Sequence, residues 1–455
     1  MGFVGELGAA LPDGAVITDP DLLETYRHDR TTWIEPGMPA AAAFPSTTGE
    51  VQAAIRVAAD HRVPVVPRGA GSSLAGAASA LDGCLVLCLE RMRRILSVEP
   101  DDQLVTVEPG VLNADVSEAV ADHDLWYPPD PASKEFCTIG GNIATNAGGL
   151  CCVKYGVTRD YVLGLEVVLP SGEVIETGRR TIKGVAGLDL TNLFIGSEGT
   201  LGVVTKVRAR LLPRPDGAST MVAFFPTLGT AGEAVAAIVR AGLVLSLLEI
   251  VDRATVVAID DWRNMGLDRD AAALLLAQSD SPEPLRQEEI ERAAELCERA
   301  GATYTAATSD RAESDALLEA RRLAIPALER LGPTLLDDIA VPRSRIPDLM
   351  EATTVIAEKR EVTIGNFGHA GDGNMHPTIV LPPDDEDGRA RGLEAFDDLV
   401  EAALDLGGTI TGEHGVGAIK GKFLEREVGG ANLALQRRIK RAVDPDGIMN
   451  PGRWL

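Results

Sequence analysis

An α+β fold of two to three domains is what this sequence predicts. Three observations carry that expectation. Helix and strand signals alternate along the first half. A proline-rich break follows Leu212. Beyond it, apolar strand runs alternate with amphipathic helices, a pattern that suggests a sheet covered by helices on one face. At 455 residues the chain exceeds what one core holds, at roughly 150 residues per domain.

In chain order, Thr47 and Glu50 have the spacing of a capping box, with Val51, Ile55 and Ala58 following at helical spacing. Val63–Val66 reads as a strand running straight into a glycine-rich loop. Leu85–Leu89 and Leu104–Glu108 read as further strands, and Ser171-Gly172 marks a hairpin between Tyr161–Leu169 and Glu173–Glu176. The strand Val203–Leu212 ends at Pro213 and Pro215, the best domain boundary. Strands then follow at Met221–Phe225, Ser246–Val251 and Ala271–Ala277, with helices at Thr230–Ala241 and Glu283–Ala300. Val362–His369 and Met375–Leu381 are expected to form a hairpin around Ala370–Asn374. A polar break, Pro382–Asp387, precedes a helix near Ala390–Leu406.

Composition excludes several classes. Apolar residues make up 45% and charged residues 24%, as in ordinary globular proteins, but the net charge is −25. So acidic a surface repels phosphate backbones and anionic membranes, so neither is an expected partner. The longest uncharged apolar stretches, such as Gly242–Leu248, fall far short of a membrane span. Met1–Gly14 carries Glu6 and no lysine or arginine, so no signal peptide is expected. The six cysteines contain no C-x-x-C pair. Buried free thiols in a reducing cytosol are the expected state, with a redox pair at Cys151–Cys152 as the alternative.

Four glycine-dense segments occupy the first half: Pro67–Gly76, Val107–Gly110, Ile139–Gly149 and Ile195–Val203. In the first, glycines let consecutive N–H groups converge on an anion while Ser72 and Ser73 add hydroxyls, as in a pyrophosphate cradle. One such loop alone is as well explained by a tight turn. Neither a G-x-G-x-x-G fingerprint nor a Walker lysine is present.

Of the six histidines, His369, His376 and His414 lie late and beside glycine, whereas His28, His61 and His123 read as solvated or capping. A turn at Ala370–Met375 would set His369 and His376 face to face across the neck of a hairpin, where they can share a metal. Glu413 and His414 are adjacent, and the flanking Gly412 and Gly415 free the backbone so that the carboxylate binds metal while the imidazole faces substrate. Two histidines, a carboxylate and open positions make a catalytic ligand set. The alternative is a glycine-rich turn with hydrogen-bonded core histidines.

Taken together, Pro67–Gly76, Pro129–Ser133, Gly140–Gly149 and Gly196–Gly202 resemble the FAD domain of the vanillyl-alcohol oxidase/p-cresol methylhydroxylase superfamily. Their order and spacing look similar to those of the glycolate oxidase flavin subunit and D-lactate dehydrogenases, and the likeness runs from about residue 36 to Leu455. It implies a two-part FAD-binding domain over 1–215 (core from about 36), a substrate domain with a helix-covered antiparallel sheet over 216–410, and a segment 411–455 returning to the flavin. It implies that Arg68, Gly69, Ala70, Gly71, Ser72 and Ser73 wrap the pyrophosphate. Gly140, Gly141 and Asn142 would approach the ring system, and Glu198, Gly199 and Val204 would line the adenosine side. Pro129, Asp130, Ser133, Asn146, Gly149 and Asn450 complete the implied FAD site. Covalently flavinylated relatives often carry a histidine near the phosphate loop. Here that position falls in Gly69–Ser73, so a dissociable FAD is expected.

The resemblance assigns His369, His376 and Glu413 to a divalent metal (zinc, with Mn²⁺ and Fe²⁺ as alternatives) and His414 to general base. It assigns Arg321 to the substrate carboxylate and places Asn374 beside the metal ligands. The implied activity is oxidation of a small D-2-hydroxy acid, with electrons passing to a quinone, a cytochrome, an electron-transfer flavoprotein or an iron–sulfur subunit. A cytoplasmic protein, peripheral to the membrane only through a partner, is expected. Hydroxyglutarate-oxidising relatives carry a lysine where Leu336 stands and an asparagine near Thr378, which favours lactate or glycolate here. The rivals are a D-2-hydroxyglutarate dehydrogenase, a flavin-binding subunit without catalysis, and a metal hydrolase. The last usually offers H-E-x-x-H, absent from this chain.

Overall fold

The structure, a computed structural model, describes all residues except Met1, Thr32 and 382–385, so much of the expected break Pro382–Asp387 lies outside the described residues. Contacts divide the chain into two units. The first comprises Met1–Gly149, Val157–Arg214 and Glu413–Leu455, and the second Leu150–Gly156 and Pro215–Gly412.

Two sheets build the first unit. In one, Ala41–Ala43 and Val65–Arg68 both pair in parallel with Leu85–Cys88. These strands are buried almost throughout, which is why they read as unbroken apolar runs. The helix Thr48–Asp60 packs beside them. The Thr47 hydroxyl accepts the Glu50 N–H as a capping box requires, but the Glu50 carboxylate accepts from the Ser46 amide, one residue earlier than expected. In the other sheet, Val203–Arg210 pairs antiparallel with both Leu104–Val107 and Val162–Val168, and its side chains alternate between buried and part-exposed.

The C-terminal segment is tied into this unit by backbone and charge. Val65 donates its N–H to the Ile448 carbonyl, and the Asn450 N–H donates to the Val65 carbonyl. On the helix Gly430–Val443, buried Lys440 donates to Asp444 Oδ2 (2.5 Å), the Thr200 carbonyl (2.5 Å) and the Met449 carbonyl (2.7 Å).

The second unit is centred on a seven-stranded sheet. Its order runs Tyr304–Thr308, Ser219–Phe225, Ala273–Ser279, Leu247–Asp252, Phe367–His369, Asn374–Met375, Ile339–Ala340, with antiparallel neighbours. The expectation of helices on one face is corrected here. Every residue of Ser219–Phe225 is buried. Val222 and Phe224 share a core with the helices Arg253–Arg263, Arg311–Arg322 and Ala324–Glu329. Met221, Ala223 and Phe225 point the other way, where Leu228–Arg240 and Leu285–Arg299 pack. The unbroken apolar run already carried this signal, since a strand exposed on one side alternates.

The late hairpin forms but breaks midway. Gly368 pairs with Met375 and His369 with Asn374 in the main sheet, while Ile364 pairs with Ile379 in a separate three-stranded sheet. Residues Leu150–Gly156, within the 1–215 expectation, pack with the second unit, where Lys154 and Tyr155 bind Asp280 at 2.5 and 2.6 Å. Among the described residues no helix is long and apolar enough to cross a membrane.

Lys440→Met would leave the fully buried Asp444 carboxylate without its cation. Breaking such a pair from one side costs about 3–5 kcal/mol. The urea midpoint should fall accordingly, and an unchanged midpoint would show that the pair does not anchor the segment.

Candidate active site

The second unit gathers buried charge around one acidic side chain. Glu249, on the strand Leu247–Asp252, is fully buried. Its Oε2 accepts from Arg321 Nε at 2.6 Å, and its Oε1 lies 2.6 Å from His369 Nδ1. The Arg321 guanidinium also stacks over the Phe367 ring, 4.7 Å from its centroid. His369 and His376 stand edge to face with centroids 5.1 Å apart, both rings buried. The turn at Ala370–Gly373 thus brings the histidine pair together.

A second acid fixes the surroundings of His376. Asp338 Oδ1 accepts from Asn374 Nδ2 at 2.7 Å and lies 3.8 Å from His376 Nδ1. Its Oδ2 accepts from the Thr411 hydroxyl (2.7 Å) and the Gly412 amide (2.9 Å). Gly412 immediately precedes Glu413 in the chain. A Cβ on Gly412 would meet the Asn374 side chain amide, so the approach requires glycine. Neither Glu249 nor Asp338 figured among the expected site residues. The available signals were a glutamate inside the apolar run 246–251 and an aspartate pair wedged between Leu336 and Ile339.

In the first unit the glycine segments converge. A Cβ on Gly69 would lie 2.4 Å from Thr138 Oγ1, one on Gly140 would meet Pro109, and one on Gly149 would meet the Asp130 backbone. Among the described residues the amides of Ala70, Gly71, Ser72 and Ser73 donate to no protein acceptor. Gly71 has φ +69°. A run of uncommitted donors in a part-exposed, glycine-bent loop fits a phosphate-bearing cofactor.

Many of the side chains expected at the cofactor make hydrogen bonds or packing contacts that hold these loops. Arg68 Nη1 donates to the His28 carbonyl at 2.7 Å, with its guanidinium beneath Gly71. Asn142 Oδ1 accepts from buried Asn113, which also donates to the Pro129 carbonyl; no local pattern had singled out Asn113. Asn146 accepts the Arg159 amide, and Gly199 packs on Pro67. Asn450 Nδ2 donates to the Ala77 and Glu198 carbonyls. Ser133 takes part through its carbonyl, which accepts the Cys137 amide, and Val204 is part-buried on the central strand. The Glu198 carboxylate accepts the amides of Val416 and Gly417, both at 2.8 Å, beyond His414 and Gly415. Glu413 Oε1 lies 4.0 Å from His414 Nε2.

Two family models match the chain: an FAD binding domain over residues 39–178, and the C-terminal domain of FAD linked oxidases over residues 214–454. The chain belongs to the FAD-linked oxidases. It is therefore a flavin-dependent oxidoreductase. This oxidase is 42% identical to "Glycolate oxidase subunit GlcD" of Bacillus subtilis (strain 168), over 94% of its own length and 91% of that protein. It is 32% identical to a D-lactate dehydrogenase of Anaerostipes hadrus, over 96% and 94% respectively. The structure of p-cresol methylhydroxylase superposes with a TM-score of 0.83 at 18% identity, covering 99% of this chain and 96% of the other. That likeness shows the expected two-domain α+β fold of the p-cresol methylhydroxylase type.

All six cysteines of the oxidase are free. Cys84, Cys88, Cys137 and Cys297 are buried, but Cys151 and Cys152 are only part-buried, contrary to the expectation for all six. Burial pushes the Cys88 and Cys297 thiols up to about 12, so they are inert at neutral pH.

Burial also pushes the Glu198 carboxyl from 4.5 up to about 7, against the two amides that favour its anion. The folded state thus keeps a proton that the unfolded chain has released between about pH 4.5 and 7, so raising pH through that window favours unfolding. Each pKa unit is worth about 1.4 kcal/mol. Wild-type stability in urea should decline across this window more steeply than that of Glu198→Gln; parallel profiles would contradict the raised pKa.

Proposed function

We propose that this FAD-linked oxidase converts a small D-2-hydroxy acid, such as lactate or glycolate, to the 2-oxo acid. The observation that carries the reading is the buried meeting of Arg321 and the His369–His376 pair on either side of Glu249. A guanidinium held by Nε still offers its Nη edge, which has no protein partner among the described residues, to a substrate carboxylate. In a protein of charge −25 an anionic substrate needs such a local cation.

The proposed ligands of a divalent cation are His369, His376 and Glu413, with zinc the favoured ion. A histidine whose second nitrogen meets a carboxylate, as His369 does on Glu249, is the usual arrangement of a metal-bound imidazole. When bound, the cation supplies Lewis acidity toward the hydroxyl oxygen, and a dissociable FAD supplies the acceptor for the Cα hydride. His414 acts as general base and takes the hydroxyl proton, while Arg321 holds the carboxylate. Residues of Pro67–Gly76, Pro129–Ser133, Gly140–Gly149 and Glu198–Val204 bind FAD largely through backbone groups, their side chains being engaged within the loops.

Substrate size follows from two neighbouring positions. Leu336 and Thr378 are directly opposed on adjacent strands, and the Thr378 hydroxyl donates to the His376 carbonyl. An aliphatic chain beside an engaged hydroxyl offers nothing to a second carboxylate, so short monocarboxylates are favoured over hydroxyglutarate. The relative named a glycolate oxidase subunit supports an acceptor outside this chain: a quinone, a cytochrome, an electron-transfer flavoprotein or an iron–sulfur subunit.

Anaerobic mixing of the purified flavoprotein with a panel of 2-hydroxy acids tests the reading. D-Lactate or glycolate should bleach the flavin and D-2-hydroxyglutarate should do so poorly; no bleaching by any of them would refute it. His414→Ala should retain FAD and slow the bleaching by roughly 10²–10⁴-fold, the usual worth of a positioned base, and an unchanged rate would remove that assignment. His369→Ala should lose the metal by elemental analysis while keeping FAD, whereas full occupancy would count against the ligand set.

A further inference from the structure

Glu249 is the only ionisable side chain on its strand before the terminal Asp252, and it is fully buried in an otherwise apolar run. An ionised carboxylate in such a place costs several kcal/mol unless charged partners surround it. Its two oxygens are divided between two partners from distant parts of the chain, each at 2.6 Å. Had Glu249 served only to neutralise a buried arginine, a bidentate Arg321 pair would be the stronger arrangement. Instead the hydrogen bond runs from Nε alone, so the Nη groups of Arg321 are not committed to Glu249, and the guanidinium lies over the Phe367 ring. The other oxygen meets His369 Nδ1, so an Nδ1–H donated to it leaves Nε2 as the lone-pair nitrogen.

We propose that Glu249 is a positioning residue that serves both halves of the site at once. It fixes the tautomer and orientation in which His369 offers Nε2 to a divalent cation, and it aims the Arg321 fork at the substrate carboxylate. The inference rests on the proposed roles of His369 and Arg321. One carboxylate thereby sets the separation between the anion-holding and cation-holding groups, and so the length of substrate backbone that spans them.

The test uses the FAD-loaded protein, stripped with chelator and titrated with Zn²⁺. Glu249→Gln should weaken Zn²⁺ binding about 10–100-fold, the usual effect of losing a carboxylate behind a metal-bound histidine. With Zn²⁺ saturating, it should also raise KM for the 2-hydroxy acid more than it lowers kcat, at unchanged FAD content. Glu249→Asp keeps the charge one methylene short and should fall between Gln and wild type on both readouts. Should the Gln variant fail to fold, the Asp variant decides by the same two measurements. A lowered Tm with wild-type Zn²⁺ affinity and wild-type KM would show a purely structural carboxylate and overturn the proposal. His369→Ala is run beside them: if it retains wild-type Zn²⁺ affinity, the ligand assignment itself fails, whereas its loss of Zn²⁺ alongside an unaffected Glu249→Gln overturns the Glu249 role alone.

Discussion

An ionised carboxylate cannot be buried without partners, and that constraint organises the charged interior of the second unit. Glu249 has no exposure to water, so Arg321 and His369 are drawn to it from a helix and a strand that lie 72 and 120 residues away in sequence. Asp338 acts likewise on Asn374, Thr411 and Gly412, fixing the chain just ahead of Glu413. Apolar packing alone would leave these side chains free to choose other rotamers. The acids remove that freedom, at a cost that the surrounding sheet can bear because both of its faces are covered.

The first unit uses its polar side chains differently. Glycines let Pro67–Gly76, Pro109–Gly110 and Thr138–Gly141 approach one another more closely than any Cβ would permit. Asn113, Asn142, Asn450 and Glu198 then bind the loops to each other, which leaves the amides of Ala70–Ser73 without a protein acceptor among the described residues. A cofactor held this way meets mostly backbone. That suits a nucleotide-bearing molecule, whose phosphates accept from any N–H.

How much of this was legible in the sequence depends on how far apart the partners lie. The strands Leu85–Cys88 and Ser219–Phe225 and the helix Thr48–Asp60 were readable because apolar runs and a capping residue act locally. The His369–His376 pairing was readable too, since a short turn brings them together. The pair at Glu249 was not: a glutamate in an apolar strand signals an unusual burial but does not name its partner. The same holds for Asn113 with Asn142, and for Glu198 with Val416 and Gly417, whose register depends on the whole unit having folded. The second covered face of the large sheet was visible in the unbroken apolar strands but was read too narrowly.

The chemistry proposed for the late hairpin turns on a cation bound by imidazole, and X-ray absorption at the zinc edge of the zinc-loaded flavoprotein addresses that directly. Two histidines and a carboxylate predict a first shell of nitrogen and oxygen at roughly 2.0–2.1 Å, with the outer-shell scattering of two imidazole rings. A shell of oxygen alone, or sulfur at about 2.3 Å, would contradict it.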